Sequence, residues 1–96
     1  MGVTFEWDPN KAAANLRKNG VSFDEASTVF DGPLAHIFDD EDHSAAEARE
    51  IIIGRSIADR LLIVSFTERS EDVIRIISAR RASRRERRDY EENPYR

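Results

Sequence analysis

Apolar and polar side chains alternate from Val3 to Trp7 and stop at Asp8-Pro9. This pattern predicts a short strand followed at once by a helix, with Asp8 as N-cap and Pro9 in the first turn. From Asn10 to Lys18 the alanines and Leu16 favour a helix, and Gly20 behind the last basic residues is its stop. A second helix follows, in which Ser22 caps, Glu25 is the capping-box partner, and Phe23, Ala26, Val29 and Phe30 form one face. Asp31-Gly32-Pro33 ends it. Leu34 to Phe38 reads as a strand, and Asp39 to Asp42 with His43-Ser44 as an exposed turn or loop. Three β-branched stretches, Glu47 to Gly54, Leu61 to Thr67 and Val73 to Ser78, predict three further strands joined as hairpins. From Ala82 to about Glu92 nothing is β-branched, which favours a terminal helix ended by Pro94.

The predicted order of strand, helix, helix, four strands and helix is that of an α+β domain: a small, mostly antiparallel sheet with two N-terminal helices packed on it and a C-terminal helix. One sheet face is left over for a ligand. Residues 1–96 suffice for one domain and one core. The chain has no cysteine, so neither a disulfide framework nor a thiolate metal site is available, and a reducing compartment is expected. No apolar run approaches the ~20 residues that span a bilayer, and MGVTFEWDPN lacks the features of a signal peptide. A cytoplasmic protein with no membrane association is expected.

Charge changes the picture because it is unevenly placed. The net charge is -4, but residues 1–50 hold 4 Lys+Arg against 11 Asp+Glu, whereas residues 51–96 hold 11 arginines, no lysine and 8 acids. Six of those arginines lie between Arg80 and Arg88. The basic potential is local, and local potential is what an anionic ligand feels within a Debye length of roughly 10 Å. A helix starting near Arg81 would place Arg81, Arg84, Arg85 and Arg88 on one face, where guanidinium forks match phosphate oxygens. The alternative is a solvated face paired with Glu86, Asp89, Glu91 and Glu92.

Arg69 ends one predicted strand and Arg75 lies inside the next. Alternation groups Arg75 with Val73 and Ile77, so its charge needs a partner; Glu68 across the hairpin is one, and a phosphate in the transition state is another. His36 alternates within a predicted strand, and His43 sits among acids. The run Asp39-Asp40-Glu41-Asp42-His43 lacks the glycine and spacing of a calcium loop and is read as solvated, so no metal site and no cofactor is expected. Trp7, Phe5, Phe23, Phe30 and Phe38 are assigned to the core, any exposed member being able to stack on a base.

Phe5-Glu6-Trp7-Asp8-Pro9-Asn10-Lys11 and Asn15-Leu16-Arg17-Lys18-Asn19-Gly20-Val21-Ser22-Phe23 together resemble the opening of the BrnT toxin family. Asp42-His43, Ile53-Gly54, Thr67-Glu68-Arg69 and Arg75-Ile76-Ile77-Ser78-Ala79-Arg80-Arg81-Ala82, then Glu86 and Tyr90, resemble its remaining motifs in the same order. Asn19 departs from the pattern, which commonly has histidine before the glycine. The resemblance implies a RelE-like fold, RNA cleavage that suppresses translation and growth, and neutralisation by a BrnA antitoxin. That antitoxin carries a ribbon-helix-helix DNA-binding part, and operator DNA is reached only through it.

The corresponding mechanism is a metal-independent endoribonuclease. In it Arg69, Arg75 and Arg80 stabilise the scissile phosphate while the RNA 2′-hydroxyl attacks, and His43, Glu68 or Lys11 is the general base. Two other classes stay open: a module that binds nucleic acid or protein through its arginine-rich segment without cleaving, and a protein-interaction domain whose basic helix docks an acidic partner.

Overall fold

The computed structural model describes residues 2–40 and 48–92. Its elements are β1 (Thr4–Glu6), α1 (Pro9–Asn19), α2 (Phe23–Thr28) with a 3-10 turn at Val29–Asp31, β2 (His36–Asp39), β3 (Glu50–Arg55), β4 (Leu61–Ser70), β5 (Val73–Arg81) and α3 (Arg84–Glu92). The strands form one five-stranded sheet in the order β1-β5-β4-β3-β2. Only the β1–β5 pairing is parallel; the other three are antiparallel. The fold is α+β with a mostly antiparallel sheet, as the patterning predicts. No described helix is long and apolar enough to cross a membrane.

Local chemistry explains the helix ends. The Asp8 carboxylate accepts the Asn10 N–H at 2.8 Å, and Pro9 opens α1 with no donor to lose. Gly20 takes φ 70° and donates its N–H to the Leu16 carbonyl at 2.9 Å, a left-handed cap that suits glycine. Ser22 Oγ accepts the Glu25 N–H at 3.0 Å and starts α2. The reciprocal half of the expected capping box is absent there, because the Glu25 carboxylate turns instead to Arg60 and to Ser56. A complete box forms at α3, where Glu86 accepts the Ser83 N–H at 2.8 Å and Ser83 accepts the Glu86 N–H at 3.2 Å.

Several predicted boundaries shift. The second helix tightens into a 3-10 turn at Val29 instead of continuing to Phe30, as Thr28 Oγ1 donates back to the Glu25 carbonyl and accepts the Ile57 N–H. β2 begins at His36 because Ala35 closes a turn onto Gly32. β4 and β5 run past their apolar stretches to Ser70 and Arg81, since backbone pairing continues through polar residues. α3 therefore starts only at Arg84. Arg81 is still a strand residue paired with Leu62, which removes it from the predicted helical face.

α1 and α2 pack on one face of the sheet, where Val21, Phe23, Ala26, Val29, Ile52, Leu62, Val64, Phe66, Ile76 and Ala79 form the core. Phe5 meets Phe30 at 5.2 Å and Trp7 meets Phe23 at 5.9 Å, which places four of the five expected aromatics around it. Gly54 lies close against Ala35 and Val29: a Cβ there would stand 2.9 Å from Ala35 Cβ and 3.1 Å from Val29 Cγ1.

One irregularity decides what the other face carries. Ser65 pairs with Ser78 but Phe66 pairs with Ile76, so Ile77 is an extra residue in β5. Strict alternation would put Arg75 and Arg80 on opposite faces. The bulge resets the phase, so Ser78 and Arg80 join Arg75 on the outer face while Ile76 and Ala79 both reach the core. The expected grouping of Ser78 with Ile74 and Ile76 is thereby corrected, while Val73 stays in phase with Arg75.

Candidate functional site

The outer face holds a groove of about 650 Å³. Its floor is Ile51, Ile53 and Ile63 from β3 and β4, its β2 wall is His36 and Phe38, and its opposite rim is Arg80 with Glu86, Asp89 and Tyr90 of α3. Pairing of His36 with Ile53, Ile53 with Ile63 and Ile63 with Arg80 sets these side chains in one row across the sheet. Phe38, unlike the other expected core aromatics, is 48% exposed and offers its ring to the groove. His36 stacks along Phe38 at 6.4 Å and meets the Tyr90 ring edge-on at 5.5 Å.

α3 buries no residue and is tied down by polar contacts at separate points. Tyr90 donates its hydroxyl to the Leu34 carbonyl at 2.7 Å, Arg55 reaches Glu91 at 3.3 Å, and Arg80 holds Glu86 through two bonds of 2.8 Å. The Arg80 guanidinium and the Ser83 bonds hold the Glu86 carboxyl down at about 2, so it is a firm carboxylate at neutral pH. With Glu86, Asp89 and Tyr90 turned to the groove, Arg84, Arg85 and Arg88 project to solvent on the other side of the helix.

The remaining candidates fall in three places. Arg75 donates to Glu6 at 3.1 Å, and Arg69 stands 3.9 Å from the same carboxylate, so one acid on β1 serves two guanidiniums on the outer face. Glu6, not the expected Glu68, is the partner of Arg75. Glu68 pairs with Ile74 and so points to the helix side, where it lies against Glu50; burial, together with Glu68, pushes the Glu50 carboxyl up. Lys11 belongs to α1 and also lies on the helix side, as does Arg81, whose charge acts on Glu25. His43 lies outside the described residues. Arg80 and Arg75 thus share a face with the groove, whereas Lys11, Glu68 and Arg81 do not.

His36, Glu86 and Tyr90 complete the groove, although sequence reading gave none of them a part in the chemistry. For His36 the available signal was its two-residue spacing from Phe38, and for Glu86 it was the Ser83-to-Glu86 capping spacing. Among the described residues, no three His, Asp or Glu side chains cluster closely enough to hold a metal ion.

Comparison with known proteins gives this groove a setting. The solved structure of the Brucella abortus ribonuclease toxin BrnT is similar to the chain with a TM-score of 0.64 at 24% identity, over 88% of this chain and 99% of that one. That likeness concerns the fold. No curated protein matches the chain. The family model described as the ribonuclease toxin BrnT of type II toxin-antitoxin systems matches residues 7–86, a span that includes Arg75, Arg80, His36 and Glu86. The chain therefore belongs to the BrnT family of ribonuclease toxins of type II toxin-antitoxin systems.

Proposed function

We propose that this protein is a metal-independent endoribonuclease that works in the outer-face groove, with Arg80 as the donor to the scissile phosphate and His36 as the group that moves the proton. The observation that carries this reading is the row His36, Ile53, Ile63, Arg80 across the sheet, which puts an imidazole and a guanidinium on one apolar floor. A rigid sheet can hold such groups against charge that develops in the transition state, and an apolar floor strengthens their effect. Imidazole is the side chain that changes charge nearest to neutral pH.

In this mechanism the RNA 2′-hydroxyl gives its proton to His36, its oxygen bonds to phosphorus, and the bond from phosphorus to the 5′ oxygen breaks. The leaving oxygen takes a proton from water, His36 gives its proton to the hydroxide so formed, and the products are a 2′,3′-cyclic phosphate and a 5′-hydroxyl. Phe38 offers a ring for a neighbouring base. Arg69 and Arg75, sharing Glu6, extend positive charge along the same face, and Arg84, Arg85 and Arg88 attract the RNA backbone from the outside of α3. Lys11 and Glu68, on the helix side, are set aside as the base.

The cellular role that goes with this is cytoplasmic growth arrest through suppressed translation, with a BrnA-like antitoxin covering the groove and contacting operator DNA through its own ribbon-helix-helix part. The test is cleavage of a defined RNA by purified protein in excess chelator, with analysis of the ends. Cyclic-phosphate ends, and loss of cleavage when the reacting nucleotide is 2′-deoxy, support the reading. Retarded RNA without cleavage replaces it by a binding module, and activity restored only by added magnesium or zinc overturns its metal-independent part.

A further inference from the structure

β1 ends at Glu6, opposite Arg75, so among the described residues the edge of β5 beyond that point has no neighbouring strand. The polar backbone groups of Ala79 face this edge inside the core, where an unmet N–H or C=O is costly. A side chain of α1 replaces the missing strand. Asn15 Oδ1 accepts the Ala79 N–H at 3.1 Å and Asn15 Nδ2 donates to the Ala79 carbonyl at 2.8 Å, so one amide copies both bonds of a strand neighbour. The same Nδ2 donates to the Val21 carbonyl at 2.9 Å, beyond the α1 cap. Asn19 adds donors to Asn15 Oδ1 at 3.1 Å and to the Ala79 carbonyl at 3.0 Å. Asn15 is 8% exposed and Ala79 1%, so solvent cannot stand in for these bonds.

We infer that Asn15, assisted by Asn19, is the positioning residue for Arg80. The amide clamps β5 at the residue just before Arg80, and it acts from the helix side of the sheet while the guanidinium works on the other. Past the bulge at Ile77, β4 is the one strand that neighbours β5 among the described residues, and the clamp supplies its second edge. A displacement of about 1 Å at a reacting group can cost about 100-fold in rate, so a loose Ala79 would be felt in the chemical step rather than in binding.

The inference rests on the groove reading above, and one experiment separates the two. Asn15→Asp keeps the acceptor and removes both donors at nearly constant volume. RNA cleavage is measured for the wild type, Asn15→Asp, Arg80→Ala and the double variant, and the Glu86 carboxyl is titrated by NMR in the wild type and in Asn15→Asp. The expected results are a kcat lowered about 10- to 100-fold with KM changed less than about threefold, and no further loss in the Arg80→Ala background. The Glu86 carboxyl should also rise from about 2 as its Arg80 partner loosens. An equal loss with and without Arg80, or an unmoved Glu86, overturns the positioning role. If the wild type does not cleave RNA the ribonuclease reading falls, and the Glu86 titration still decides the inference. Should Asn15→Asp fail to fold, Asn19→Ala, which removes one donor to Ala79, is expected to move both readouts the same way by a smaller amount.

Discussion

Arg80 and Glu86 bind each other through both forks, and this pair makes the rim of the groove sensitive to pH. The Glu86 carboxyl sits at about 2, below its ordinary 4.5, so the pair's contribution is complete above 4.5 and is lost as pH falls through about 2. Near-ultraviolet dichroism of Tyr90, which lies over His36, should therefore change between those values, and Glu86→Gln should remove that transition. For activity, a positioned donor counts for more than a solvated one: Arg80→Ala should lower the cleavage rate on the order of 10²- to 10³-fold and abolish growth arrest while the protein stays folded. Arg87→Ala, on the exposed side of α3, should weaken RNA binding modestly and remain toxic. Growth curves on induction, with circular dichroism as the folding check, measure both. Equal toxicity of the two variants would take Arg80 out of the mechanism. The place of Arg80 at the end of an apolar strand was legible in the sequence. Its companion His36 was not, because a histidine alternating in a strand has the same pattern whether it faces solvent or a groove.

The elements themselves were legible wherever one physical signal dominated: Asp8-Pro9 and Gly20 mark α1, and the isoleucines mark β3. What stayed hidden arises from contacts between elements. The Ile77 bulge leaves no trace in the residue pattern, yet it alone brings Arg75 and Arg80 to one face. Glu25 was expected to turn back onto Ser22, but Arg60, distant in sequence, binds it through Nε at 2.9 Å and through a second nitrogen. Ser56 adds a hydroxyl at 2.6 Å, so this cluster fastens the β3–β4 turn to α2. Arg60→Ala should lower the denaturation midpoint, because it leaves the Glu25 carboxylate short of donors. Gly54→Ala tests packing instead of charge. The added methyl would press on Ala35 and Val29, so a loss of about 1–3 kcal/mol is expected, against the small gain that replacing a strand glycine brings where space is open.

At the scale of the whole molecule, the division into an acidic first half and an arginine-rich second half was readable from the chain, and folding turns it into a surface. Arg69, Arg75 and Arg80 lie on the outer sheet face, and Arg84, Arg85 and Arg88 continue the positive charge over the outside of α3, whereas Glu86 and Asp89 line the inside. A neutralising antitoxin that covers this surface would meet the same guanidiniums that RNA needs, so inhibition and catalysis should compete for one site. Two consequences can be measured. The purified complex should not cleave RNA that the free protein cleaves, and its association rate should fall steeply as salt rises from ~0.05 M to ~0.5 M, because steering between exposed charges is screened over a Debye length that shrinks to a few ångströms. Dissociation should depend on salt much less, since it is governed by contacts already formed and desolvated. Arg80→Ala should still bind the antitoxin, because a covering segment spreads its contacts over the groove and α3, while one lost fork is fatal to the chemical step. A complex that cleaves at the rate of the free protein would exclude occlusion. An association rate indifferent to salt would leave the apolar floor, and not the arginines, as what the antitoxin recognises.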